Sequence, residues 1–231
     1  MPPNVRTRRP AALGIRQGRR AAAAATLGAV SRTLRAAAAL LLLLALVGAG
    51  CDTTADREND TSDVDPVALA RVLPTPDGLS DSPPPRAVGV RDLQVALAAG
   101  QEDEEGARRL DGLGLRRSAV REWSGPDGAR LTVVISVWPD HTVANNVGAG
   151  AAELPLGSDG ARAWTPREVA GSRGAVVSPP GPPSAGLAFA VGQTSILVRG
   201  EGPVGEETVV RTLTRLTRIL RGEGEATVGG G

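Results

Sequence analysis

The chain has 231 residues, with 26 basic and 25 acidic side chains, one histidine, one cysteine and a formal charge of +1. A hydrophobic fraction of 41% is enough for a packed core, and with 2% aromatics and no tyrosine that core must be built mostly from Val, Leu, Ala and Ile. One histidine and one cysteine are too few soft or imidazole ligands for zinc, so neither a metal nor a cofactor is expected.

The net charge hides a segregation. Residues 1–35 carry eight arginines and no acid, which leaves 18 arginines against 25 acids in the remainder, a formal −7. Phosphate binding needs a basic patch, so an acidic mature chain argues against nucleic acid as a partner. All basic residues are arginine, which together with the Ala and Gly excess resembles coding in a very GC-rich genome.

In chain order, the first feature is an uncharged run from Ala36 to Gly50 that ends at Cys51. As a helix it would reach roughly 22 Å, short of the ~30 Å hydrocarbon core of a bilayer. Arg32 and Arg35 precede it, Asp52 follows, and the small residues Gly48, Ala49 and Gly50 close it, the order of a cleaved export signal. The Gly48-Ala49-Gly50-Cys51 junction resembles the lipobox of bacterial lipoproteins. Gly48 stands where that family usually has leucine.

The resemblance implies a signal peptide over residues 1–50 and diacylglycerol on the Cys51 thiol. It also implies anchorage on the outer face of the plasma membrane by several acyl chains, since one chain alone binds only marginally. The 35-residue basic stretch is long for such a leader. Either the pairs Arg8-Arg9 and Arg19-Arg20 mark a twin-arginine route, or synthesis starts near Val30.

Residues 51–65 hold six acids and a single large aliphatic, Val64, and read as an acidic tether. A single domain is expected over 66–222, followed by a disordered Gly-rich tail, 223–231. Pro66 to Leu73 is a short helix capped by Asp65, and the proline-broken stretch to Pro85 is an extended lead-in packed along the domain. Helices are predicted over Val90–Ala99 and Glu104–Leu110.

Leu115–Trp123 and Arg130–Trp138 flank the turn-rich Ser124-Gly125-Pro126-Asp127-Gly128 and form a predicted hairpin. A helix over His141–Leu154 starts at the Asp140 cap. The stretch 155–172 reads as loop pinned by Trp164, and Ala175–Ser178 as a short strand. A second hairpin, Gly186–Val191 with Thr194–Arg199, turns at Gly192-Gln193. The last helix, Glu206–Arg221, has acids in its first turn, arginines in its last, and a seam of Val209, Leu213, Leu216 and Leu220.

Strand, turn, strand, helix thus occurs twice, which predicts an α+β two-layer sandwich: an antiparallel sheet from two hairpins with helices on one face. Duplication and chance recurrence of a common motif both explain the repetition.

For chemistry, His141 would have to serve any Ser-His-Asp enzyme, yet no serine lies in a Gly-x-Ser-x-Gly elbow, so a helix-start position is the better reading. Gly112/Gly114 and Gly148/Gly150 lack the spacing of phosphate loops. Glycoside cleavage would need two of the 25 acids to converge, and the chain offers little aromatic platform for sugars. Arg116, Arg117 and Arg121 read as a charged, solvated sheet edge.

The order of parts resembles actinobacterial-type cell-envelope lipoproteins, in which a lipobox and polar tether precede a small α+β domain. The expectation is a non-enzymatic binding or assembly module with an envelope protein or polymer as partner. The alternative is a carrier of a small apolar ligand or lipid.

Overall fold

The computed structural model describes residues 59–81, 83–179 and 183–223. Gly48, Ala49, Gly50, Cys51 and most of the tail lie outside the described residues.

Helix α1 is Pro66–Arg71. Asp65 accepts a hydrogen bond from the Val67 amide at 2.9 Å, and Pro66 occupies the first turn where no amide donor is needed. The proline-rich lead-in then supplies two short strands, β1 (Ser80–Asp81) and β2 (Arg86–Ala87), both paired with the strand Arg117–Ser124. Helices α2 (Val90–Leu97) and α3 (Glu104–Gly112) follow. Between them the Gln94 carboxamide donates to Gln101 O at 3.2 Å and accepts from the Asp103 amide at 3.0 Å.

The first hairpin is β3 (Arg117–Ser124) and β4 (Arg130–Val137), in register from Arg117↔Val137 to Ser124↔Arg130. Asp127 and Gly128 both take positive φ at its turn, which their residue types tolerate. Helix α4 (His141–Glu153) starts where the Asp140 carboxylate accepts from the Val143 amide at 2.9 Å.

The predicted loop 155–172 contains a further short strand, β5 (Ala161–Ala163), which pairs with β6 (Arg173–Val177). The second hairpin is β7 (Ser184–Val191) and β8 (Thr194–Glu201), and the chain's last helix among the described residues is α5 (Glu206–Leu220).

The sheet runs β1-β3-β4-β8-β7-β6-β5, with β2 also on β3, and every pairing is antiparallel. The α+β sandwich read from the sequence is therefore present, with the two hairpins side by side through β4 and β8.

Helices cover both faces instead of the single face expected, which makes three layers. On one face Leu131, Val133, Leu187 and Ile196 meet Leu69 of α1 and Leu213 and Leu216 of α5. On the other, Val120, Val134, Ala188 and Leu197 meet Leu93 of α2 and Ala144 and Ala151 of α4. The cause lies in the strands: β4, β7 and β8 are buried on both sides of the pleat, and the second side still offers Val134, Ala188, Ala190 and Leu197 for helices to cover, between polar residues such as Ser136, Ser195 and Arg199.

This arrangement also decides between duplication and recurrence. A rotation that carries β3-β4 onto β7-β8 must run perpendicular to the sheet, because β4 and β8 are antiparallel neighbours. Such a rotation leaves a helix on its own face, yet α4 and α5 lie on opposite faces. The two ββα units have opposite hand, so no rigid rotation superposes them, which favours recurrence over duplication.

Candidate interaction site at the hairpin tip

The last part of the predicted tether belongs to the domain. Thr61 is 4% exposed, and its backbone and side chain lie against the tip of the second hairpin. The Thr61 amide donates to Gln193 Oε1 at 2.9 Å, its hydroxyl donates to Val191 O at 2.9 Å, and Thr194 Oγ1 donates to Thr61 O at 3.4 Å. Arg117 donates to Ser62 O and approaches the Asp63 carboxylate to 3.9 Å. Residues Thr61 to Asp63, read from the sequence as tether, are thus packed on the domain, because they find fixed partners in Arg117 of β3 and in the tip of the β7–β8 hairpin.

Gly192 at the tip makes room for this strap. Gly192 takes φ +50°, and a Cβ there would lie 1.9 Å from Asn59 O and 2.8 Å from Thr61 Oγ1. The absent side chain is the space the strap occupies. Around the same tip, Gln193 O accepts from the Trp138 amide at 2.9 Å, and Trp138 Nε1 donates to Ser195 Oγ at 3.0 Å. Hydrogen bonds from the backbone and hydroxyl of Ser62, with the Arg116 charge adding to them, lower the pKa of the fully exposed Asp60 carboxyl.

His141 stands at the start of α4 as predicted, with Nδ1 3.1 Å from Gly192 O. It joins the helix start to the hairpin tip. Gly148 packs α4 on the sheet, since a Cβ there would lie 3.4 Å from that of Ala188 and 3.5 Å from that of Ser195.

Arg121 departs from the solvated sheet edge expected for it. It is 5% exposed, donates to Ala70 O and Leu73 O at 2.7 and 2.6 Å, and stacks 4.4 Å from the Trp123 ring centroid. Its strand position places it on an inward face opposite Val133, where the carbonyls ending α1 attract a cation.

A second buried arginine went unforeseen. Arg199, 6% exposed, donates to Ala96 O, Leu97 O and Ala151 O at 3.1, 2.9 and 3.2 Å, so one guanidinium closes the C-terminal ends of α2 and α4. Burial pulls its pKa down, and Glu201 opposes that shift. Its planar fork reaches three carbonyls at once, which an ammonium could not do. The available sequence signal was its place after Ser195 and Leu197 on one strand face, two residues that both point inward.

Among the described residues, no three His, Cys, Asp or Glu side chains gather as a metal would require, and no helix is long and apolar enough to cross a membrane. Two open grooves are present among the described residues. One, about 370 Å³, is lined by Gly78, Leu79, Ser80, Ser124, Gly125 and Pro126. The other, about 280 Å³, lies between the Val177–Ser184 end of the sheet and the Gly202–Glu206 turn. Both sit at the end of the sheet opposite the strap. No family model matches the chain, and neither a curated protein nor a solved structure matches it.

Proposed function

We propose that the protein is an extracytoplasmic lipoprotein, held to the outer face of the plasma membrane by lipid on Cys51, whose folded domain serves as a non-enzymatic binding or assembly module. The observation that carries this reading is the order of parts: an uncharged run of fifteen residues, the Gly48-Ala49-Gly50-Cys51 junction, a short acidic spacer and then a docked domain. The domain supports it through how its buried polar groups are used. Arg121, Arg199, Ser118, Ser195 and Gln94 each bind backbone or a neighbouring side chain, and the two arginines hold helices to the sheet.

The anchor is tested by growth in labelled palmitate. The intact chain takes up label and sediments with membranes, whereas Cys51→Ser is unlabelled and released; label retained in Cys51→Ser would overturn the reading. The module is tested by cross-linking in cells, where a reproducible envelope protein or polymer is expected. Recovery of the chain alone would count against it.

A further inference from the structure

The strap sets which end of the domain faces the membrane. We propose that docking of residues 59–63 aims the Gly192-Gln193 tip at the bilayer and leaves the opposite end, which carries both open grooves, pointing outward; this rests on the lipid-anchored reading above.

The argument is one of reach. Seven residues separate Cys51 from Asn59, so with Thr61 docked the anchor point lies at most about 28 Å from the tip. Strand β4 is eight residues long, which separates the two ends of the sheet by about 24 Å. The far end of the sheet therefore reaches the headgroups only if the seven connecting residues are drawn out almost to full length, an arrangement of low entropy. Were the connecting chain free to Asp65, its limit would rise to about 48 Å and the domain would turn over without hindrance.

The fixing is built from both sides. Thr61 uses its amide, hydroxyl and carbonyl on the tip, Arg117 holds Ser62 and Asp63, and the missing side chain at Gly192 leaves the channel for Asn59. Two other tip features share that end: α4 begins there at His141, and β3 begins there at Arg117 opposite Val137.

The test uses the full lipidated chain in phosphatidylcholine–phosphatidylglycerol vesicles that carry a headgroup-linked quencher. Thr142→Cys reports the strap end and Arg130→Cys the far end; both positions are exposed, and each receives the same fluorophore. Quenching at position 142 is expected to exceed that at 130 by about twofold or more, given the length of the sheet between them. Adding Thr61→Ala with Gln193→Ala is expected to erase the difference.

Amide exchange reads the strap independently of any lipid. The Thr61 amide should exchange about tenfold faster or more in the double variant while Leu197 stays protected. Equal quenching at the two positions, in protein that carries palmitate, would overturn the orientation alone. A chain that leaves the vesicles and carries no palmitate would overturn the anchored reading and the orientation with it. An unprotected Thr61 amide in the intact chain would overturn the strap itself.

Discussion

Arg199 and Arg121 place a positive charge inside each half of the sandwich, and both meet helix C-termini, where carbonyl oxygens gather partial negative charge. Removing such a group leaves several buried acceptors without donors. Arg199→Ala is therefore expected to cost about 3 kcal/mol, with Arg199→Lys recovering only part, because an ammonium cannot span two helices. The measurement is a urea midpoint shift at unchanged slope. An Arg199→Ala midpoint equal to that of the parent would refute the stapling role.

Asp60 gives a pH prediction at the same scale. Its pKa is lowered in the docked strap, first by the Ser62 hydrogen bonds and then by Arg116, so the docked state prefers the carboxylate. The contribution is present above the undocked pKa and is lost as pH falls through the lowered one. Acidification below the ordinary carboxylate range should lower the protection of the Thr61 amide, its exchange relative to an unstructured chain at the same pH, before it lowers that of interior amides such as Leu197. Simultaneous loss of both would show that strap and core open together.

At the scale of elements, spacing and capping carried most of the information. The predicted α5 ended at Arg221 and the observed helix ends at Leu220, and the hairpin turns fell where Asp127-Gly128 and Gly192-Gln193 placed them. Strand β5 escaped because three residues, Ala161-Arg162-Ala163, are too few to set an alternation apart from chance. The packing of α4 offers a direct check on how elements meet. Gly148→Ala places its methyl at ordinary contact distance from Ala188 and Ser195, and should be neutral or stabilising by up to about 1 kcal/mol through helix propensity. Gly148→Leu should cost about 2 kcal/mol by overpacking. Thermal unfolding distinguishes them, and a destabilised Gly148→Ala would mean that α4 sits closer to the sheet than described.

For the whole molecule, the three layers share their central strands, so the two cores are expected to fail together. Leu213→Ala on the α5 face and Leu93→Ala on the α2 face should each lower stability by about 2–5 kcal/mol, within one cooperative transition. Intrinsic tryptophan fluorescence is well placed to follow this, since Trp123 lies in one core and Trp138 in the other. Two separable transitions would show that the faces fold as independent units.

What the amino-acid sequence determined by itself was local: the apolar run ending at Cys51, the helix caps at Asp65 and Asp140, both hairpins and the amphipathic last helix. Each of these depends on residues within a few positions of one another, through periodicity, capping oxygens or turn glycines. Only the tertiary structure decided that helices lie on opposite faces, that Arg121 and Arg199 point inward, and that Thr61 docks on Val191 and Gln193. These are partnerships between groups 48 to 132 residues apart. A side chain's local spacing shows which face of its own element it occupies, but not what the rest of the chain will lay against that face.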